Sequence, residues 1–213
     1  RKARRAGRPE ITPLYTVEDA AGVMELFVPM HYHEKLQVCD EISVRFVDAG
    51  HLLGSSSIEI WLTEEGEQKK IVFSGDIGQG NKPLIKAPEY IEEADYVLVE
   101  STYGDRVHEA PIDFAKALAD VMRQTFQAGG NLVIPAFSVG RTQEMLYFIR
   151  RIKEEGMLSD LEDFEVYMDS PLAVEATAVF HSNVAECFSE EAKEIIAAGK
   201  NPIRFPGLKM AVT

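Results

Sequence analysis

Hydrophobic and polar residues alternate along the first half of this chain. The alternation has a period of two over residues 42–47 (ISVRFV) and over residues 57–62 (SIEIWL), where Ile58, Ile60 and Leu62 share one face. A period of two is typical of β-strands that bury one face. Both stretches are therefore predicted to be strands of a single sheet.

Further elements in this half follow from turn and capping residues. The stretch 70–74 (KIVFS) comes directly after a polar turn at 64–68 (EEGEQ), which predicts a β-hairpin. Residues 96–100 (YVLVE) are apolar without alternation, and this predicts a short strand buried on both faces. Upstream, Thr16 and Asp19 have the spacing of a capping box, so a helix is predicted from there to about residue 27.

Beyond residue 104 the apolar positions take the period of helices. Helices are predicted at 112–128, 143–153, 171–181 and 189–198, with strands at 132–135 and 164–168. Strands that alternate with helices of this length are typical of parallel βαβ units. The chain is therefore expected to be an α/β protein, with a hairpin-rich part at 1–104 and an alternating part at 105–213.

Composition is typical of a globular protein. The 213 residues are 46% hydrophobic, which is enough for a substantial core, and no apolar run reaches the ~20 residues of a membrane span. The basic N-terminal residues are not followed by the apolar segment of a signal peptide. Cys39 and Cys187 lie far apart and outside any Cys-x-x-Cys pair, so free thiols in the reducing cytoplasm are expected.

The net charge of −13 argues against a surface that coats nucleic acid, because phosphate binding needs clustered Lys and Arg. The charge is uneven, however, since the first ten residues hold five basic residues and one acidic residue. An acidic nuclease with a locally basic cleft remains compatible with this composition.

Three turn-rich loops follow predicted strands, and each presents a side chain suited to metal-dependent hydrolysis. His51 offers ring nitrogens that bind metals, and Asp76 offers a carboxylate that can bridge two divalent ions. Glu100 can orient a histidine that acts as a general acid. Each also has an ordinary interpretation: a hydrogen-bonded loop histidine, an Asx-turn aspartate and a glutamate bonded to its own loop.

Weaker candidates lie in the second half. Ser138 and Arg141 lie between a predicted strand and a predicted helix, where backbone amides and a guanidinium can hold a phosphate; a structural ion pair is the alternative for Arg141. His108 is a candidate cleft residue or an ordinary loop histidine. Asp169 and Ser170 are expected to cap a helix rather than face a cleft.

Taken in order, five segments resemble the β-CASP branch of the metallo-β-lactamase superfamily, a group of RNA- and DNA-processing nucleases. Residues 48–55 (DAGHLLGS) and 73–78 (FSGDIG) are similar to two metal motifs of the family, and residues 99–108 (VESTYGDRVH) are similar to the acidic motif that opens its inserted domain. Residues 134–144 (IPAFSVGRTQE) and 167–175 (YMDSPLAVE) resemble segments of that insert.

The resemblance implies a zinc-dependent phosphodiesterase acting on single-stranded RNA, with DNA left open. His51 would bind zinc, Asp76 would bridge two zinc ions, and Glu100 would support a catalytic histidine. The implied fold is the later part of a metallo-β-lactamase αββα sandwich at 1–104, followed by the first part of a β-CASP insert at 105–213. Nucleic acid would lie between the two parts, and no oligomeric state is implied.

The chain also departs from the family pattern. The His-x-His-x-Asp-His signature that supplies most zinc ligands is absent, and the residues 31–33 (HYH) are expected to be a surface loop instead. The late histidine motifs of the family are absent too, so the chain is expected to be an internal fragment. Because a catalytic zinc usually has at least three protein ligands, zinc binding should be weak or absent and the isolated chain inactive.

Two other functional classes stay open at this point. One is a hydrolase of a small ester or thioester with the same fold, although such enzymes generally lack the motif at 99–108 and the insert. The other is a non-catalytic nucleic-acid-binding or scaffold module, although the joint presence of His51, Asp76 and Glu100 argues against it.

Overall fold

A computed structural model describes residues 7, 13–80, 82–107, 113–161 and 163–210. The described residues fall into two units, one within 1–31 and one within 32–213. In the first unit, helix α1 (Val17–Val23) is followed by a 3-10 turn (Met24–Leu26). The amide of Thr16 donates to Asp19 Oδ2 at 2.8 Å and the amide of Asp19 donates to Thr16 Oγ1 at 3.2 Å, which confirms the predicted capping box.

The second unit begins with a mixed sheet. Its five strands are β1 (Lys35–Cys39), β2 (Ile42–Asp48), β3 (Ser56–Glu64), β4 (Glu67–Phe73) and β5 (Tyr96–Leu98). They lie in chain order, with antiparallel pairing from β1 to β4 and parallel pairing between β4 and β5. Strands β2, β4 and β5 therefore run in the same direction, and the loops that follow their C-terminal ends lie at the same end of the sheet.

The predicted hairpin between β3 and β4 is confirmed. Its turn has positive φ angles at both central residues, 50° at Glu65 and 85° at Gly66. Two successive positive φ angles are the property of the type I′ turn, whose twist matches that of the flanking strands. The turn therefore sets the register in which Glu64 pairs with Glu67.

The prediction that the strand near 96–100 is buried on both faces is wrong for this structure. Strand β5 forms, but Val97 is 61% exposed and Leu98 is 53% exposed. Within the part of the chain that the structure describes, β5 is the edge strand of the sheet, with a hydrogen-bonded neighbour only on the β4 side. Continuous hydrophobicity predicts a strand, whereas burial depends on what packs over it.

Helices dominate the second half of the chain. They are α2 (Phe114–Gln127), α3 (Arg141–Glu154), α4 (Pro171–Ser182), α5 (Val184–Cys187) and α6 (Glu190–Ala197). Ser170 caps α4 by accepting a hydrogen bond from the amide of Ala173, as predicted, and Ser189 caps α6 in the same way. Among the described residues, no helix combines the length and apolar character that crossing a membrane requires.

Strands β6 (Val166–Met168) and β7 (Leu208–Met210) pair in parallel, with α4, α5 and α6 between them. This confirms the α/β class and one of the two predicted strands, whereas the strand β7 was not predicted from the sequence. The strand predicted at 132–135 does not form in the described part of the chain, and Val133 is 83% exposed. An apolar run becomes a strand only where a neighbour supplies the hydrogen-bond ladder.

The main hydrophobic core lies in the helical half and includes side chains from α2, α3, α4 and α6. Leu84 and Ile85, from the long connection between β4 and β5, are buried in the same core. The amide of Lys86 donates to Cys187 O at 3.0 Å, and the amide of Ser189 donates to Leu84 O at 3.1 Å. The connection between β4 and β5 therefore attaches the sheet to the helical half.

Candidate metal and phosphate site

The three sequence-predicted residues follow the three strands that run in one direction. His51 comes after β2, Asp76 after β4 and Glu100 after β5. Because the ends of these strands share one edge of the sheet, their loops are neighbours. The three motifs, which are separated along the chain, are therefore close together in space.

Two glycines allow close backbone contacts around the His51 loop. The amide of Gly78 donates to Ala49 O at 2.8 Å, and a methyl group built on Gly78 would overlap the carbonyl group of Gly50. Gly50 itself has a φ of +59°, and a side chain there would collide with Pro88. Glycine is required at both positions because backbone approaches backbone without room for a β-carbon.

His51 and Asp76 face each other at the resulting edge. His51 Nε2 lies 3.8 Å from Asp76 Oδ2, and the two side chains are 38% and 73% exposed. This distance is too long for a hydrogen bond but suits two donors on one ion, since zinc lies about 2.0–2.2 Å from each nitrogen or oxygen ligand. Within the described ranges, no group of three or more His, Cys, Asp or Glu side chains could hold a metal. The two donors therefore fit part of a metal site.

Glu100 is held by the loop of Asp76 and by its own loop. Its Oε1 accepts from the amide of Ile77 at 2.7 Å, and its Oε2 accepts from Thr102 Oγ1 at 2.7 Å. The Thr102 hydroxyl, followed by the Ile77 amide and the nearby His51, lowers the pKa of Glu100 below its ordinary value. The carboxylate is thus ionised at neutral pH and is bonded to Ile77, the residue after Asp76. This arrangement suits a residue that orients a catalytic group, and it equally suits one that stabilises the loop.

The backbone of the His51 loop is fixed from several sides. Ser55 Oγ accepts from the amides of His51 and Leu52 at 3.0 and 3.1 Å, and Asp48 Oδ1 accepts from the amide of Gly50 at 2.8 Å. Burial raises the pKa of the Asp48 carboxyl group. Lys82 Nζ donates to His51 O at 2.5 Å. Sequence reasoning missed Lys82, because an isolated lysine in a loop carries no recognisable motif.

The phosphate candidates lie against this loop. Helix α3 begins after Gly140, which has a φ of +83°, and a side chain at Gly140 would overlap the side chain of Leu52. Arg141 is 62% exposed and pairs with Glu144 at 3.1 Å. Ser138 Oγ lies 3.4 Å from Ser170 Oγ. Leu52 follows His51 directly, so the first turn of α3 is a neighbour of the predicted metal loop.

A buried glutamine keeps the approach to α3 in place. Gln143 is fully buried; its Oε1 accepts from the amide of Gly140 at 2.8 Å, and its Nε2 donates to Ser138 O at 3.1 Å and to Thr177 Oγ1 at 2.9 Å. The turn that carries Ser138 and Arg141 is therefore rigidly attached to helices α3 and α4. Gln143 could have been recognised from the sequence, because a glutamine three residues after a helix N-cap often accepts a hydrogen bond from the N-cap amide.

Other sequence candidates lie elsewhere. His33, in the predicted surface loop, is exposed and pairs with Glu89 at 3.3 Å. Asp169 is exposed beside the N-cap of α4. His108 falls outside the described residues, so its candidacy stays a prediction.

Comparisons with known proteins identify a family and several relatives of this chain. The Beta-Casp domain family matches residues 142–213. An RNase J-like protein of Methanocaldococcus jannaschii is 35% identical over 82% of this chain and 40% of its own length. A ribonuclease of Thermus thermophilus is 32% identical over 93% of this chain and 43% of its own length. The cleavage and polyadenylation specificity factor 73 of Drosophila melanogaster is 31% identical over 80% of this chain and 24% of its own length. The chain thus spans less than half the length of each of these relatives.

Proposed function

Because the chain belongs to the β-CASP branch of the metallo-β-lactamase superfamily, we propose that it forms part of a metal-dependent ribonuclease. The observation that carries the proposal is the meeting of His51 and Asp76 at one sheet edge, with their donor atoms 3.8 Å apart. Two of the relatives are named as an RNase J-like protein and a ribonuclease, which supports RNA as the substrate.

The metal is proposed to be zinc. His51 Nε2 and the Asp76 carboxylate would hold it, since imidazole nitrogen and carboxylate oxygen are common zinc donors. Bound zinc supplies an activated water and stabilises negative charge on phosphate oxygens during phosphodiester hydrolysis. Two donors are fewer than the three protein ligands that a catalytic zinc usually has.

The remaining residues position the reacting groups. Glu100, ionised and fixed beside Asp76, is proposed to orient a histidine that protonates the leaving oxygen. Arg141 presents an exposed guanidinium at the start of α3, where the helix dipole also favours an anion, and Ser138 lies in the preceding turn. Both are proposed to bind an RNA phosphate close to the metal. His108 remains a further proposed substrate contact.

A hydrolase of a small ester or thioester is disfavoured by the match of residues 142–213 to the Beta-Casp domain. That insert is proposed to cover an extended substrate. A hydrolase of a small molecule would not require such a covering domain. Single-stranded RNA is therefore preferred as the partner class.

Zinc titration against a chromophoric chelator tests the metal proposal. His51→Ala and Asp76→Asn should each weaken the zinc affinity of the chain by about tenfold or more, because each removes one of the two donors. His33→Ala is the matched control, since that histidine is exposed and lies in a different loop. Equal zinc affinities for the wild type and both site variants would contradict the proposal.

Fluorescence anisotropy with a labelled single-stranded oligoribonucleotide tests the substrate proposal. Arg141→Ala should weaken binding by about tenfold, the effect expected from losing one charge-assisted hydrogen bond. Lys116→Ala on α2 removes an exposed cation outside the site and should change binding little. An Arg141→Ala variant that binds RNA like the wild type would remove the support for a phosphate contact at α3.

A further inference from the structure

Lys82 lies where the two halves of the candidate site meet. Its ammonium group donates to the carbonyl oxygen of His51 at 2.5 Å and lies 3.9 Å from Glu144 Oε1 on helix α3. The Lys82 and Glu144 side chains are only 21% and 15% exposed. An ion pair with this little exposure is less weakened by water and salt than a surface pair.

Glu144 extends the connection to the proposed phosphate contact. Its other oxygen, Oε2, lies 3.1 Å from Arg141 Nη1. A continuous series of polar contacts therefore runs from the backbone of His51, through Lys82 and Glu144, to the guanidinium of Arg141. It joins a predicted metal ligand to a cation at the start of α3.

A second contact acts at the same junction. The side chain of Leu52 packs directly against Gly140, where any β-carbon would overlap it. This apolar contact brings the His51 loop and α3 together, but alone it leaves sliding and rotation at the junction weakly restricted. The directional contacts of Lys82 with the His51 carbonyl and the Glu144 carboxylate restrict those motions.

We propose that Lys82 is a positioning residue that fixes the first turn of α3 against the loop carrying His51. The inference rests on the proposed function, because it gives Arg141 a fixed position relative to His51 and so would select which RNA phosphate Arg141 binds. Lysine suits this position because its ammonium is a compact charge with three donors, able to reach a carbonyl and a carboxylate in different directions.

Hydrogen exchange followed by NMR tests the positioning directly. The Leu52 amide donates to Ser55 Oγ and the Glu144 amide donates to Gly140 O, so each reports on one side of the junction. Lys82→Met keeps the apolar stem and removes the charge; it should speed exchange at both amides by about threefold or more. Lys69→Met is the matched control, because it breaks an exposed ion pair with Asp95 away from the site.

Circular dichroism first establishes that Lys82→Met is folded under the conditions used. Faster exchange at Leu52 alone, with Glu144 unchanged, would overturn the proposal, because Lys82 would then support only its own side of the junction. Should Lys82→Met fail to fold, Glu144→Gln serves instead, with the same expectation of faster exchange at both amides.

A double-mutant cycle on RNA binding supplies the second readout. Lys82→Met should weaken binding of the labelled oligoribonucleotide about threefold in the wild type and leave it unchanged in the Arg141→Ala background. The same weakening in both backgrounds would overturn the positioning role. If Arg141→Ala alone has no effect, the proposed phosphate contact fails, while the exchange experiment still decides the role of Lys82.

Discussion

Gly78 shows how a single residue determines the spacing of the candidate site. Its Cα lies so close to the carbonyl of Gly50 that no side chain fits, and its amide is bonded to Ala49 O. The two loops that carry His51 and Asp76 can approach to this distance only because Gly78 lacks a β-carbon. The proposed donors, His51 and Asp76, are partly and largely exposed, so their separation depends on this backbone contact.

Gly78→Ala should therefore destabilise the protein by about 2 kcal/mol or more and weaken zinc binding, since the loops must separate to admit the methyl group. Urea unfolding and chelator competition measure the two effects. Gly80→Ala, in the same connection but in ordinary contact with Ala87, is the control and should stay within about 0.5 kcal/mol of the wild type. Equal stabilities for the two variants would contradict this view of the loop contact.

One hydroxyl group, that of Thr102, makes the largest contribution to the lowered pKa of Glu100. Thr102→Val removes the donor that contributes most to the lowered pKa of Glu100, so the variant should titrate closer to the ordinary value for glutamate. NMR titration of the Glu100 side-chain carboxyl carbon measures this pKa. Ser101→Ala, in the same loop, should leave it unchanged.

The same substitution makes a prediction about stability and pH. A carboxyl group whose pKa is lower in the folded state stabilises the protein above its unfolded pKa and loses that effect as pH falls through the folded pKa. The wild type should therefore be more stable than Thr102→Val at neutral pH, and the part of the difference due to ionisation should vanish in acid. If the stability difference between the wild type and Thr102→Val instead grew as pH fell, the prediction would be contradicted.

At the scale of elements, the sequence predicted the turns and helix caps, because these depend on residue types that are close together in the chain. The hairpin between β3 and β4, the capping box at Thr16 and the N-cap at Ser170 all follow from residue types at fixed spacing, and all are confirmed. The strand expected at 132–135 and the burial of β5 were wrong because each depends on a neighbouring element. Apolar composition does not reveal which neighbour is present.

Two helix caps provide a matched test of how elements are joined. Ser170 and Ser189 each accept a hydrogen bond from the amide three residues later. The second contact of Ser170 Oγ, with Ser138 Oγ, is long at 3.4 Å, whereas Ser189 Oγ donates to Pro83 O at 2.7 Å. Ser170→Ala should cost about 1 kcal/mol, and Ser189→Ala about 2 kcal/mol, because the latter also breaks a link to the connection between β4 and β5. Urea denaturation measures both, and a smaller loss at Ser189 would contradict the proposed link.

At the scale of the whole molecule, the site could be predicted only in part. His51, Asp76 and Glu100 follow from their order in three loops, because strands that run in one direction bring their ends together. The contacts of Lys82 and of Leu52 with α3 could not be predicted. They join segments that are far apart in the sequence, and no residue pattern in either segment indicates its partner. The domain boundary near residue 104 stays a prediction.

The number of metal donors leads to a prediction about activity. With zinc added, the isolated chain should not cleave a labelled oligoribonucleotide, because the described residues bring together only two of the three ligands that catalysis usually requires. Denaturing gel electrophoresis measures cleavage, with a chelator-treated sample as the control. Zinc-dependent cleavage that is lost in Asp76→Asn would contradict this prediction.

The bond between Ser189 and Pro83 joins positions 106 residues apart. Closing a loop of this length is entropically unfavourable until many other contacts compensate, so such contacts form late and slow the folding rate. During synthesis, the segment that holds Lys82 against the His51 carbonyl cannot reach its final attachment until residue 189 has left the ribosome. We therefore expect His51 and Asp76 to be synthesised well before the segment around Ser189 that completes their surroundings.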